Sequence, residues 1–106
     1  MLIRLVRMTF RPRDLETFLR LFDETAPHIR AFPGCRHLEL WQDTRFENVV
    51  TTCSHWTSAD ALEAYRHSPL FRETWARTKP LFAAAPQAFS HYPLRSDPTT
   101  DVPQGE

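Results

Sequence analysis

Ser54-His55-Trp56-Thr57-Ser58-Ala59-Asp60-Ala61-Leu62-Glu63-Ala64-Tyr65-Arg66-His67-Ser68-Pro69-Leu70-Phe71 is the stretch that decides the fold. A strand ends on Trp56. A helix follows at once: Thr57-Ser58-Ala59-Asp60 offers N-cap choices, and Thr57 with Asp60 resembles a capping box in which Asp stands in for Glu. It runs to about Arg66 and buries Ala61, Leu62 and Tyr65. Ser68-Pro69 then starts a further helix, with Ser as N-cap and Pro at the first helical position, where its missing N–H costs nothing. Leu70, Phe71, Trp75, Thr78 and Phe82 make the next apolar stripe, and Pro80 and Pro86 end it. This strand–helix–helix unit brings aromatic and titratable side chains close together.

Upstream, Asn48 to Trp56 is dense in Val and Thr and reads as a strand. Cys35 to Asp43 alternates and reads as another, and the short link Thr44–Glu47 makes the two an antiparallel hairpin. If Asp43 faces Asn48, Trp41 lies opposite Val50, Glu39 opposite Thr52, His37 opposite Ser54, and Cys35 opposite Trp56. In this register Cys35 and Cys53 are too far apart along the ladder for a disulfide; a bulge would shift the pairing. One face of the hairpin would carry Leu38, Leu40, Val49, Thr51 and Cys53. The other would carry His37, Glu39, Trp41, Val50, Thr52, Ser54 and Trp56, a polar and aromatic wall facing the helices.

The remaining elements complete the plan. Leu2 to Phe10 is a first strand closed by Pro12. Asp14 to about Ala31 is a helix with Asp14 as N-cap and a stripe of Leu15, Phe18, Leu21, Phe22, Thr25 and Ile29. Pro27 predicts a kink or break near Thr25–Ala26, and Phe32-Pro33-Gly34 turns the chain. Ala88 to Leu94 reads as a fourth strand, an edge strand if Pro93 lies inside it. Arg95 to Glu106 lacks periodicity and is expected to be a disordered tail, so the domain is residues 1–94. The order β-α-β-β-α-β predicts an α+β, ferredoxin-like antiparallel sheet with helices on one face. The other face stays open. A second copy laid on it would bury Leu38, Leu40, Val49 and Cys53.

Composition excludes several classes. The 13 basic and 13 acidic residues cancel, so no basic footprint for nucleic acid exists. No apolar run approaches the ~20 residues that span a bilayer, and Arg4 and Arg7 interrupt the N-terminus too early for a signal peptide; a cytoplasmic protein is expected. Two glycines rule out a Gly-rich phosphate loop. None of the five histidines has the spacing of a zinc site, so no metal is expected.

The chain resembles the antibiotic biosynthesis monooxygenase family of dimeric α+β barrels. The residues that carry the resemblance are Ala31-Phe32-Pro33-Gly34-Cys35, Ser54-His55-Trp56, Asp60-Ala61-Leu62-Glu63-Ala64-Tyr65 and His67-Ser68-Pro69-Leu70-Phe71. The resemblance implies a homodimer with a pocket in each subunit between sheet and helices. It also implies oxidation of a small quinol- or anthrone-like aromatic by O2 with neither metal nor flavin. Some relatives degrade haem with an Asn, a Trp and a His; the corresponding positions here fall near Val6, on Tyr65 and on Trp75, and none of the three side chains is kept.

Cofactor-free oxygenation needs a base near neutral pKa and donors that steady an oxyanion. His37 and His67 are the candidate bases, and Tyr65 and Ser54 the candidate donors. Glu39, two residues from His37 on the same face, is placed to orient its imidazole. Val6, Trp41, Trp56 and Trp75 complete the expected substrate wall. The competing expectation is a non-catalytic dimer that binds a small molecule on the same fold.

Overall fold

A computed structural model describes residues 1–99 of the 106-residue chain. Strand β1 (Leu2–Thr9) leads through a 3-10 turn to helix α1 (Leu15–Arg30). Strands β2 (Cys35–Gln42) and β3 (Val49–Trp56) follow as a hairpin, then α2 (Ala59–Arg66), α3 (Pro69–Thr78) and β4 (Gln87–His91). The sheet order is β2-β3-β1-β4 with every neighbouring pair antiparallel. This is the expected ferredoxin-like α+β plan.

Strand parity places the side chains. On β1, Leu2 and Met8 are buried beneath the helices, as is Phe10 just past its end, so the even-numbered residues Arg4 and Val6 share that face. Two core clusters form there. Leu2, Cys35, Trp56 and Leu62 pack at one end, and Met8, Phe10, Phe18 and Val50 at the other. Burying a large apolar side chain contributes roughly 1.5–3 kcal/mol, so these clusters hold the helices on the sheet.

The expected hairpin register is corrected by one residue. Cys35 does pair with Trp56, but a bulge between Cys35 and His37 puts His37 opposite His55, Glu39 opposite Cys53 and Trp41 opposite Thr51. One inserted residue reverses which face every later side chain meets. Leu38 and Leu40, expected on the open face, therefore lie beneath the helices opposite Ser54 and Thr52. His37, Glu39 and Trp41, expected to face the helices, lie on the open face with Cys53 and His55. Both cysteines are buried and free.

Four local expectations also change. Helix α1 runs through Pro27 without interruption to Arg30, because Pro27 sits in its last turn, where Ala31 N–H still reaches Pro27 O at 3.1 Å. Asp14 makes no side-chain cap; its carboxylate instead accepts from Arg11 Nε at 2.7 Å. The α2 cap is Ser58, whose Oγ accepts from Ala61 N–H at 3.1 Å, in place of Thr57. Ser68 caps α3 as expected, accepting from Phe71 N–H at 3.2 Å with Pro69 following. Strand β4 stops at His91, so Pro93 lies beyond it, and the strand is nonetheless at the sheet edge. Arg95 to Thr99 form neither helix nor strand, and the rest of the expected tail lies outside the described residues. Among the described residues no helix is long and apolar enough to cross a membrane.

Candidate active site

The helices cover the sheet incompletely and leave a cavity of about 310 Å³. That volume lies at the small end of the range for ligand sites. Strand β1 contributes Arg4, Val6 and Met8 to its wall, β3 contributes Thr52, Ser54 and Trp56, and β2 contributes Leu38. Phe18 and Leu21 come from α1, Leu62, Tyr65 and Arg66 from α2, and Phe71, Trp75 and Thr78 from α3.

An aromatic belt runs along this wall. Tyr65 stacks on Trp56 with ring centres 5.0 Å apart, and meets Phe71 edge-on at 5.3 Å. Phe71 stacks on Trp75 at 5.7 Å, and Trp75 meets Phe82 edge-on at 5.5 Å. Offset and edge-on geometries of this kind suit the ring quadrupoles and hold each ring in place. The belt arises from two neighbouring apolar stripes. The α2 stripe brings Tyr65 down beside Trp56, and the Ser68-Pro69 restart aims Phe71 and Trp75 at the same space.

Polar groups are few and mostly committed. Trp56 Nε1–H donates to Ser54 Oγ at 2.9 Å, and both residues are buried. Thr78 Oγ1 donates to Thr74 O at 2.7 Å, and Thr25 Oγ1 to Leu21 O at 2.9 Å. Burial, and secondarily Cys35, raises the Tyr65 phenol well above its ordinary pKa, so it stays protonated and can only donate as a neutral hydroxyl. Arg4 reaches across the ladder to donate to Ser90 Oγ at 2.9 Å.

Five of the nine residues expected at the site line this cavity: Val6, Ser54, Trp56, Tyr65 and Trp75. The other four do not. His67 follows the last turn of α2 and is largely exposed, with Nε2 3.4 Å from Glu63 Oε2. His37, Glu39 and Trp41 form a separate group on the open face, with the predicted His37–Glu39 contact at 3.4 Å. Trp41 Nε1–H donates to Glu39 Oε1 at 3.0 Å, and this bond is the main reason that the Glu39 carboxyl lies below its ordinary pKa. The His37 and His55 rings are 4.8 Å apart. Burial first, and His37 second, lowers the His55 pKa. Among the described residues no three His, Cys, Asp or Glu side chains are grouped to hold a metal ion.

Arg4, Thr52 and Arg66 belong to the cavity wall and were not among the expected site residues. Arg4 had a readable signal: it shares strand parity with Leu2, Val6 and Met8, so a charge interrupts the face that packs beneath the helices. Arg66, at the end of α2, had none.

A model of the antibiotic biosynthesis monooxygenase family matches residues 1–77. The chain belongs to this family. Among solved structures, one described as an antibiotic biosynthesis monooxygenase superposes with a TM-score of 0.84 at 16% identity, covering 90% of this chain and all of its own. Rv0793 from Mycobacterium tuberculosis superposes at 0.82 with 22% identity, covering 90% of this chain and 96% of its own. PA3566 from Pseudomonas aeruginosa gives 0.78 with 21% identity, over 89% and 94%. At such identities the likeness is one of fold. No curated protein matches significantly in sequence.

Proposed function

We propose that this antibiotic biosynthesis monooxygenase family member oxidises a small, electron-rich aromatic of the quinol or anthrone type with O2, using neither metal nor organic cofactor. The observation that carries the reading is the aromatic-walled cavity, partly open to solvent, with few free polar groups. Tyr65, Phe71 and Trp75, backed by Trp56, would pack along a flat substrate. The Tyr65 hydroxyl, held neutral by burial, would donate to the substrate oxygen, where negative charge gathers.

The chemistry balances without a cofactor. An anthrone-type methylene loses a proton, and the resulting carbanion passes one electron to O2. Substrate radical and superoxide combine to form a C–O bond. Protonation of the peroxide, loss of the second carbon-bound hydrogen as a proton, and O–O cleavage leave a carbonyl. The sum is CH2 + O2 → C=O + H2O, with one oxygen atom in the product and the other in water.

We also propose that the chain works as a homodimer joined through the open sheet face, where Trp41 and Phe89 are 42% and 49% exposed. His37 and His67, the bases expected from sequence, stand outside the cavity wall, and the reading gives them no proton transfer. Each of His37→Ala and His67→Ala is expected to keep turnover within a few-fold. The test is oxygen uptake by the metal-free protein against quinols, naphthols and anthrones. Enzyme-dependent uptake with one chemotype supports the reading; none across the set contradicts it.

One observation favours a second reading, a non-catalytic binding protein: among the described residues no imidazole or carboxylate lines the cavity. A ligand recovered unchanged after aerobic incubation would support that alternative.

A further inference from the structure

Two arginines line the cavity, Arg4 and Arg66, and among the described residues only Arg66 of the two faces a carboxylate within 4.0 Å. Arg4 lines the cavity, and among the described residues its hydrogen-bond partner is a neutral hydroxyl, Ser90 Oγ at 2.9 Å. Arg66 lines the same cavity from α2 and is tied to Glu63 at 2.9 Å. Glu63 is the carboxylate nearest in effect to Arg4, but it already serves Arg66 and His67. The two guanidiniums are close enough for Arg66 to depress the Arg4 pKa, after burial, which contributes more; Glu63 opposes both. A half-buried cation with no carboxylate in direct contact, in a wall that is otherwise mostly apolar, leaves the negative charge to be supplied by whatever fills the space.

We infer that the cavity selects an aromatic bearing an ionised oxygen, and that Arg4 is the residue that holds that oxygen, with Arg66 adding positive charge beside it. The inference rests on the cavity being the ligand site of the proposed function, and it deepens that reading. It also accounts for the absence of a base from the wall. A guanidinium beside an acidic phenol or enol favours the ionised form, so the O–H bond breaks heterolytically and its proton leaves to solvent. The electron pair stays on the substrate, ready for O2. A carboxylate substituent on the aromatic would satisfy Arg4 by the same contact.

Calorimetric titration with 2-naphthoate and its neutral analogue 2-naphthamide tests the carboxylate source. Spectral titration of 4-nitro-1-naphthol, whose anion absorbs at longer wavelength, tests the ionised hydroxyl. Wild-type protein is expected to prefer naphthoate over naphthamide by about tenfold or more, or to make the bound naphthol ionise at about ten times higher proton concentration than the free one. Either result supports the inference and names the source of the charge. Arg4→Gln should abolish the preference and Arg4→Lys should keep most of it. Equal binding of charged and neutral probes without easier naphthol ionisation, or a preference that survives Arg4→Gln, overturns the inference and leaves the cavity reading standing. Binding of none of the probes overturns both.

Discussion

Gly34→Ala perturbs the turn that sets α2 against the sheet. Gly34 has φ +88°, a left-handed conformation that costs an L-residue about 1–2 kcal/mol. An added Cβ would stand 2.5 Å from Ala61 Cβ and 3.0 Å from Thr57 Oγ1, whereas carbon atoms pack comfortably at about 3.5–4.0 Å. Relieving such a clash in a packed region costs about 1–3 kcal/mol. The sum, about 2–5 kcal/mol, is a large share of a typical domain stability of about 5–15 kcal/mol. At about 4–8 °C per kcal/mol, Tm should fall by roughly 10 °C or more. Urea melts followed by tryptophan fluorescence measure the change. Ala61→Gly removes the clashing methyl at a helix-propensity cost of about 1 kcal/mol. The double variant should therefore recover the steric share and leave the φ share. A loss below about 1 kcal/mol for Gly34→Ala, or no coupling with Ala61→Gly, would refute the reasoning. Activity should also suffer, because Ala61 and Tyr65 lie one helical turn apart on α2.

Ser54→Ala strips the buried Trp56 indole of its acceptor at 2.9 Å and should destabilise by about 1–3 kcal/mol; a melt unchanged from wild type would contradict that bond. His55 has a folded-state pKa below its unfolded value, so the unfolded chain binds more protons between the two. Its contribution is fully present above about pH 6.5, the unfolded value, and is lost as pH falls toward the folded one. Urea midpoints should decline on acidification below neutrality, and His55→Gln should flatten that slope; an identical slope would contradict the assignment. Phe89→Glu puts a charge on the exposed part of the open face opposite Leu5, and should convert a dimer to monomer in light scattering. A monomeric wild type, or a variant that still dimerises, would count against that face as the interface.

Element order was legible because the hydrophobic period changes cleanly along the chain and Ser68-Pro69 and Phe32-Pro33-Gly34 mark their boundaries chemically. Half of the site was legible for the same reason: Tyr65, Phe71 and Trp75 share the apolar stripes, and an apolar stripe must point at the sheet. The hairpin faces were not. The bulge beside Arg36 leaves no composition signal, yet it carries His37, Glu39 and Trp41 to the far side of the sheet. The His37 assignment depended on that parity and moved with it, whereas His67 follows α2 and is exposed. Arg4 shows the opposite case, a charge on a buried parity whose meaning emerges only once the wall around it is closed.

The most direct test of the central claim is a reaction under isotopically labelled dioxygen, using metal-free protein and a substrate that supports oxygen uptake. The account predicts one labelled oxygen atom in the new carbonyl of the product, before exchange with water, and no hydrogen peroxide. Product labelled only from water, stoichiometric peroxide, or uptake that requires an added metal would contradict it.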